Sequence, residues 1–544
     1  MKTLRKAIGF SVLFALLLSA CGAPAAPAAT EASAAPAAPA AGDYNLKPAA
    51  TYAPAATAAP AMAAPLVGQN SANVPNQPAA GAPTHKSNNE PYDMFFKDYG
   101  VNPSIDTEDD NLSTFALDVD TGSYTVMRNY LNNGNLPPAD SVRVEEYVNY
   151  FEQGYPIPPA HQAFGISMDA APSPFTETER YDMLRIGIQG YQVSEEDRKD
   201  AALTFVIDVS GSMGQDNRLE LVKRSLEMLV EQLRRSDSVS IVVYGSNARV
   251  VLDPTTGSDS GEILRAIRSL EPEGATNAEE GIRLGYRMAL KAYKPDSINR
   301  VILCSDGVAN VGNTEADVIL SEVKGYVDEG VTMATFGFGM GNYNDTLMEQ
   351  LADNGDGFYA YIDSVDEAQR LFVDELTSTL QTIAMNAKVQ VDFNPETVKR
   401  YRLVGFENRA IADDQFRDNT VDAGEIGAGH TVTALYEIKL YLEAAGRVAT
   451  VNLRWEDPDT RAVTELSKDF NASEIAYDFR ETDPHFQRAV VVAEYAEILK
   501  DSYWAENGSL SAVYKEAERI NEYHYGDDVM DEFVSLVREA KRLK

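Results

Sequence analysis

The stretch Asp208-Val209-Ser210-Gly211-Ser212 decides the fold of this chain. It follows the apolar run 203–207, which predicts a buried strand, and it precedes a helical pattern that begins near Asn217. A carboxylate and two hydroxyls therefore leave the end of a buried strand together. Oxygen donors suit Mg²⁺, Mn²⁺ or Ca²⁺, and ligands bind at this edge of an α/β sheet. The stretch predicts an α/β domain with a binding site for a hard divalent cation.

Two later segments supply further oxygen donors at the same kind of position. Thr276 lies in Glu273-Gly274-Ala275-Thr276-Asn277, a glycine-containing turn that leads into a helical pattern. Asp306 lies in Ser305-Asp306-Gly307, directly after the predicted strand 300–304. Three loops thus offer five candidate metal ligands, which are Asp208, Ser210, Ser212, Thr276 and Asp306.

These three segments resemble the metal-ion-dependent adhesion site of the von Willebrand factor type A (vWA) family. That site has the pattern D-x-S-x-S, then Thr, then Asp, and all five positions match. The resemblance implies that Ser210, Ser212 and Thr276 bind the metal directly. It implies that Asp208 and Asp306 mostly hold the ion through water, so that the ion can accept a carboxylate from a partner protein. A vWA fold with a vacant site is the alternative.

The order of predicted elements supports the same fold class. Strands and helices alternate across residues 201–382, which predicts a doubly wound, Rossmann-like α/β domain with a mainly parallel sheet. Residues 383–480 show strand patterns typical of a β-sandwich, and residues 481–544 show helical patterns. The flanks resemble those of bacterial YfbK-like vWA lipoproteins, in Leu112-Ser113-Thr114-Phe115, in Tyr155-Pro156 and in the C-terminal strand and helix region.

Residues 89–200 form an N-terminal flanking region in which helical patterns precede strand patterns. The strands predicted in 163–192 are too few to close a sandwich alone, and a small separate sheet would leave long unpaired edges. We therefore expect them to pair with strands of 389–455 in one discontinuous sandwich. Both connections should then leave the central domain on the side away from the metal, where the last predicted helix, 365–382, runs into the sandwich.

The N-terminus carries the pattern of an exported lipoprotein. Residues 1–20 resemble a secretory signal, because three basic residues precede an apolar run too short to span a bilayer comfortably. Leu18-Ser19-Ala20-Cys21 matches the bacterial lipobox, which implies lipidation of Cys21; cleavage beside an incidental cysteine is the alternative. Residues 21–88 are mostly Ala, Pro, Thr, Gly and Asn, a composition typical of a disordered tether. These features predict an extracytoplasmic protein anchored to the cell membrane or the outer membrane.

Two acidic segments imitate metal loops without matching one. In Asp118-Val119-Asp120-Thr121-Gly122-Ser123 the hydroxyl spacing is wrong, so we expect Thr121 or Asp120 to cap the helix that follows. In Asp353-Asn354-Gly355-Asp356-Gly357 the fifth position is glycine, so a turn into the last strand of the central domain is the better interpretation.

Charge and histidine content argue against two classes of function, nucleic-acid binding and catalysis. The net charge of -36 repels nucleic acid. None of the five histidines lies in the central domain and no G-x-S-x-G surrounds its serines, so the chain is predicted not to be an enzyme. We favour a lipid-anchored binding protein that engages an acidic residue of a protein partner through one bound divalent cation. Mg²⁺ is the expected cation, and Mn²⁺ and Ca²⁺ are the alternatives. The alternatives are an assembly factor of an envelope complex, binding through its flanks, and a metal-dependent hydrolase.

Overall fold

The computed structural model describes residues 94–159, 162–176, 181–307, 313–341 and 343–544, without the side chains of 313–318. The signal, Cys21 and the tether predicted for residues 1–88 lie outside the described residues. The elements before the central domain are β1 (Met94–Phe95), β2 (Ile105–Asp106), β3 (Leu112–Ala116), α1 (Gly122–Asn132), α2 (Val144–Asn149), β4 (Phe164–Pro172) and β5 (Asp182–Gly190).

The central domain alternates strands and helices, as the sequence predicts. Its elements are β6 (Ala201–Asp208), α3 (Arg218–Gln232), β7 (Ser238–Tyr244), β8 (Ala248–Thr256), α4 (Ser260–Arg268), α5 (Ala278–Ala292), β9 (Ile298–Ser305), α6 (Asn313–Asp328), β10 (Thr332–Phe338), β11 (Tyr343–Asn344), α7 (Asp345–Asp353), β12 (Tyr359–Ile362), α8 (Val365–Gln369) and α9 (Leu376–Leu380). The elements after it are β13 (Thr382–Phe393), β14 (Val398–Val404), β15 (Gly424–Gly427), β16 (Thr431–Leu440), β17 (Arg447–Glu456), β18 (Val463–Asn471), α10 (Pro484–Leu499), α11 (Leu510–Asn521) and α12 (Asp528–Leu543).

The central sheet has six strands in the order β12-β10-β9-β6-β7-β8. Its strands are parallel except β8, which is antiparallel to β7. Helices α3, α4, α8 and α9 cover one face, while α5, α6 and α7 cover the other. All eight residues of β6 are buried because the strand lies in the middle of this doubly covered sheet. The predicted α/β class is confirmed.

The last helix of the central domain is not the single helix predicted for 365–382. It is interrupted by a π turn at residues 370–374, and Thr382 already belongs to β13. At the π turn the side chain of Arg370 forms ion pairs with both Glu367 and Glu375, one on either side of the interruption. A π turn inserts one extra residue into the helix, and the sequence pattern does not reveal such an insertion.

The flanking strands form one sandwich built from both sides of the central domain. One sheet has the order β15-β13-β17-β18 with β3 also paired to β13, and the other has the order β2-β14-β16-β5-β4. Strand β5 pairs antiparallel with β16, from Asp182 opposite Ile438 to Gln189 opposite Thr431. The expected pairing of strands from before and after the central domain is therefore confirmed.

Both connections between the sandwich and the central domain lie at one edge of the central sheet. The backbone N–H of Lys199, just before β6, donates a 2.9 Å hydrogen bond to Oε1 of Gln381, just before β13. Since β6 begins at Ala201 and ends at Asp208, this edge is opposite the one that carries Asp208. The position predicted for the two connections is confirmed.

The local cap predicted for α1 is wrong. Thr121 is the N-cap residue, but its side chain makes no capping hydrogen bond, and Asp120 instead accepts from the backbone N–H of Tyr359 at 3.0 Å. The N–H of Ser123 donates to Oε2 of Glu146 at 2.7 Å, so a carboxylate from α2 occupies the place of a local cap.

The carboxylates of the first imitation metal loop are engaged elsewhere. Asp118 and Asp120 accept hydrogen bonds from the side chain of Arg409 at 2.9 Å and 3.4 Å.

Helices α10, α11 and α12 pack with α1 and α2 around a shared apolar core. Among the described residues, no helix has the length and apolar character needed to cross a membrane.

Candidate metal centre

Two neighbouring strands carry the carboxylates of the predicted site to one edge of the central sheet. Asp208 is the last residue of β6, and Asp306 directly follows β9. The two strands are parallel partners, with Ile207 opposite Cys304. Because parallel neighbours end at the same edge, Asp208 and Asp306 lie close enough for the charge of Asp306 to act on Asp208.

Backbone hydrogen bonds hold the loop that carries Thr276 against the turn that follows β6. The N–H of Gly211 donates a hydrogen bond to the carbonyl of Gly274 at 3.1 Å. The N–H of Glu273 donates one to the carbonyl of Val209 at 2.5 Å. Thr276 itself is half-buried, two residues before the start of α5. The three predicted segments are therefore adjacent at this edge.

Gly274 is required for the shape of that loop. Its φ is +70°, in the region that favours glycine, and a Cβ there would lie 2.2 Å from Oγ of Ser246. The same hydroxyl accepts a 3.0 Å hydrogen bond from the N–H of Ala275. The close approach of Ser246 thus fixes the backbone immediately before Thr276.

Asp208 is fully buried and both of its carboxylate oxygens have donors. Oδ1 accepts from the backbone N–H of Ser210 at 2.8 Å, and Oδ2 accepts from the hydroxyl of Ser305 at 3.0 Å. Burial, aided by the charge of Asp306, raises the pKa of Asp208 to about 6 even though these hydrogen bonds lower it. A cation next to this carboxylate would favour its ionised form.

The hydroxyl donors lie beside the carboxylate. Oγ of Ser210 and Oγ of Ser212 are 3.1 Å apart; Ser210 is buried and Ser212 is partly exposed. Together with Thr276 they form an oxygen-only donor set, which fits Mg²⁺, Mn²⁺ or Ca²⁺ rather than a softer metal. The residues present therefore fit the divalent cation that the sequence implies.

Sequence reasoning missed two residues at this edge, Ser305 and Arg218. Ser305 holds Asp208 from the neighbouring strand, and Nη1 of Arg218 donates to Oδ2 of Asp306 at 2.7 Å. A signal for Arg218 exists, because it lies four residues before Val222 on the buried face of α3. A charged side chain on such a face indicates a buried partner.

A second acidic cluster lies away from this edge. Ligand oxygens of Asp356, Asp422 and Glu425 lie within 4.8 Å of one another. Asp422 pairs with Nζ of Lys324 at 2.8 Å, so a side chain already supplies positive charge there. Asp356 has a φ of 46° and lies in the turn between α7 and β12.

The fold and this edge define a vWA-domain protein. A sequence profile of the von Willebrand factor type A domain matches residues 202–374, and a von Willebrand factor profile matches residues 90–182. A profile of the C-terminal part of uncharacterized protein YfbK matches residues 378–543. The chain is 36% identical over 487 residues to uncharacterized protein YfbK of Escherichia coli K12, covering 84% of this chain and 82% of that protein. The chain belongs to the YfbK-like family of bacterial vWA proteins.

Other similar proteins share part of the chain. Uncharacterized protein sll0103 of Synechocystis is 27% identical over 293 residues, which cover 52% of this chain and 68% of that protein. Human inter-alpha-trypsin inhibitor heavy chain H3 is 29% identical over 191 residues, or 33% of this chain and 21% of that protein. A von Willebrand factor type A structure from Catenulispora acidiphila covers 69% of this chain and 89% of its own, with 14% identity and a TM-score of 0.42. The vWA domain indicates a protein-interaction or adhesion function, and such domains commonly bind a divalent metal.

Proposed function

We propose that this chain is a lipid-anchored, extracytoplasmic binding protein whose metal site captures a carboxylate of a partner protein. The observation that carries the proposal is the convergence of three loops at one sheet edge. These loops carry the five proposed oxygen donors, namely Asp208, Ser210, Ser212, Thr276 and Asp306. Among the metals, Mg²⁺ is favoured, because it dehydrates reluctantly and usually keeps several of its waters when it binds a protein.

The hydrogen bonds of the two carboxylates support this mode of binding. Both oxygens of Asp208 already accept hydrogen bonds, and one oxygen of Asp306 accepts from Arg218. Hydroxyls and water can then supply most of the ligands to the ion. An ion held in this way retains positive charge and has a position open to an oxygen from outside the chain.

Binding is favoured over catalysis for a chemical reason. Metal-assisted hydrolysis needs a general base beside the ion. No histidine lies in residues 201–382, and the described histidines 430, 485 and 524 belong to the sandwich and the C-terminal helices. Asp208 and Asp306 are occupied by hydrogen bonds within the site.

Anchoring and location rest on the lipobox pattern at Cys21 and on the tether composition of residues 21–88. Lipid on Cys21 would hold the folded part at the membrane surface, and the tether would let it reach a partner. The net charge of -36 favours a protein partner over nucleic acid.

An assembly role for the flanks is the second candidate. Exposed aromatic side chains cluster in sequence near the C-terminus; they are Tyr477, Tyr503, Trp504, Tyr523 and Tyr525. Aromatic side chains of this kind are enriched at protein interfaces. Binding through them would not depend on a metal.

A pull-down from envelope extracts distinguishes the two candidates. The full-length protein in detergent is used as bait with Mg²⁺, with EDTA, and as the Asp208→Asn variant. Glu231→Gln is the matched control, because Glu231 is an exposed carboxylate on α3 and its substitution changes the net charge equally. Partners lost in EDTA and with Asp208→Asn, but kept with Glu231→Gln, support the metal-dependent module. Partners retained in all four experiments support the assembly role instead.

A further inference from the structure

A buried arginine is paired with one of the two carboxylates of the candidate metal centre. Arg218 is 6% exposed, and its Nη1 lies 2.7 Å from Oδ2 of Asp306. Its Nη2 donates to the carbonyl of Met340 and lies 3.4 Å from Oδ2 of Asp216. The guanidinium thus joins Asp306 to the loop that follows β10.

The backbone on both sides is shaped to place this side chain. Asp216 and Asn217 have φ values of 49° and 58°, so two successive left-handed residues turn the chain directly before α3. On the other side Gly339 has a φ of +76°, and a Cβ there would lie 2.4 Å from Cδ and Nε of Arg218. Strain on one side and a required glycine on the other indicate a built arrangement rather than a chance surface contact.

The pairing changes the charge of the centre. Two carboxylates alone would neutralise a divalent ion, and a neutral centre would attract an anionic ligand only weakly. With the guanidinium of Arg218 held on Asp306, the loaded centre keeps one positive charge, since the side chain of Asp216 is 83% exposed and solvent screens its charge. A partner's carboxylate would restore neutrality on binding.

We propose that Arg218 sets the ligand preference of the metal centre: it weakens the hold on the ion alone and makes the loaded centre select an anionic oxygen ligand. The inference rests on the proposed function, since it assigns a role to Arg218 at the same site. Metal and carboxylate then bind cooperatively. The bound ion leaves the centre with a positive charge that attracts the carboxylate, and the bound carboxylate neutralises that charge and so stabilises the ion.

The test measures Mn²⁺ binding to the full-length protein in detergent by electron paramagnetic resonance, without and with acetate as the carboxylate probe. Arg218→Met and Arg218→Gln remove the charge, and Arg218→Lys keeps it. Arg224→Gln is the matched control, because Arg224 is exposed on the same helix and the net charge changes equally. Thermal unfolding of each variant establishes that it is folded.

We expect Arg218→Met to bind Mn²⁺ alone roughly tenfold more tightly at low ionic strength, since a like charge near the ion is removed. Acetate should strengthen Mn²⁺ binding in the wild type and have little effect in this variant. Arg218→Lys and Arg224→Gln should resemble the wild type.

Three results would overturn the inference. The first is unchanged or weaker Mn²⁺ affinity in whichever of Arg218→Met and Arg218→Gln is folded. The second is Arg218→Lys matching the uncharged variants, and the third is equal acetate enhancement in the wild type and Arg218→Met. If the wild type binds no Mn²⁺ at all, the proposed function itself fails, so the two failures are distinguishable.

Discussion

The hydroxyl of Ser305 donates a 3.0 Å hydrogen bond to Oδ2 of Asp208, joining the ends of the neighbouring strands β9 and β6. The same hydroxyl accepts the N–H of Gly307 at 3.1 Å, so it also orders the backbone around Asp306. One buried side chain therefore holds the carboxylate of Asp208 and orders the backbone next to Asp306.

Ser305→Ala should weaken Mg²⁺ binding by about tenfold or more, as losses of groups that orient metal ligands usually do. Titration calorimetry on the purified protein measures the affinity. Ser240→Ala is the matched control, because Ser240 is buried in the same sheet and its hydroxyl has no hydrogen-bond partner among the described residues. Equal Mg²⁺ affinities in the two variants would contradict the role given to Ser305.

Asp208→Asn should separate metal binding from stability. We expect Mg²⁺ affinity to fall by about 10- to 100-fold, while the Tm in EDTA stays equal to that of the wild type or rises. Burial raises the pKa of Asp208, so its ionised form is costly when no cation is bound. Thermal unfolding with and without Mg²⁺ measures both effects. A Tm increase with Mg²⁺ as large as in the wild type would exclude Asp208 from the site.

Arg143→Met should destabilise the protein by about 3–5 kcal/mol, the usual effect of leaving buried carboxylates without their cation. Arg143 is 5% exposed; it pairs with Glu146 on α2 and lies 2.7 Å from Oδ2 of Asp345 on α7. Denaturant unfolding measures the change. The matched control is Arg480→Met, whose pair with Glu516 is largely exposed on the arginine side, and it should cost less than about 1 kcal/mol.

The effect of Arg143→Met should depend on pH. Burial raises the pKa of Glu146 to about 8, so the folded state holds a proton more firmly than the unfolded state does. This contribution to stability is complete below about pH 4.5 and is lost as the pH rises through 8. Without Arg143 the ionised form of Glu146 is costlier still, so the variant should lose more stability at pH 8 than at pH 5. A loss that is the same at both pH values would contradict this account.

The discontinuous sandwich predicts how fragments behave. Residues 387–544 alone should show no cooperative thermal transition, because they lack β5, the partner of β16, and β3, the partner of β13. Adding residues 89–200 as a second chain should restore a transition, monitored by near-ultraviolet circular dichroism. A C-terminal fragment that unfolds cooperatively by itself, with no gain from the second chain, would show that the sandwich is not shared.

Cys21→Ser should abolish lipid attachment, because the serine has no thiol to receive the diacylglyceryl group. Metabolic labelling with a radioactive fatty acid measures this in the producing cell. Cys304→Ala is the control, since Cys304 is the one other cysteine and is buried in β9. Label that persists in Cys21→Ser would refute the anchor.

The sequence by itself determined the central domain and the positions of its five candidate ligands. An apolar strand that ends in Asp208-Val209-Ser210-Gly211-Ser212 is a local pattern, and so is a glycine turn before Thr276. Such patterns can be recognised in the sequence because the burial of a strand and the shape of a turn depend on residues that are adjacent in the chain. Alternation of strands and helices then places the strand ends at one edge.

Only the tertiary structure decided which residues distant in the chain complete the candidate metal centre. It also decided which strands of the two flanking regions pair with each other. Arg218 and Asp306 are 88 residues apart in the chain, and the short strand β3 pairs with β13 across the whole central domain. In α1, a carboxylate from α2 replaced the local cap that the sequence predicts. Partners separated in this way leave no local periodicity, because their energy comes from burial and charge pairing that exist only once the chain has folded.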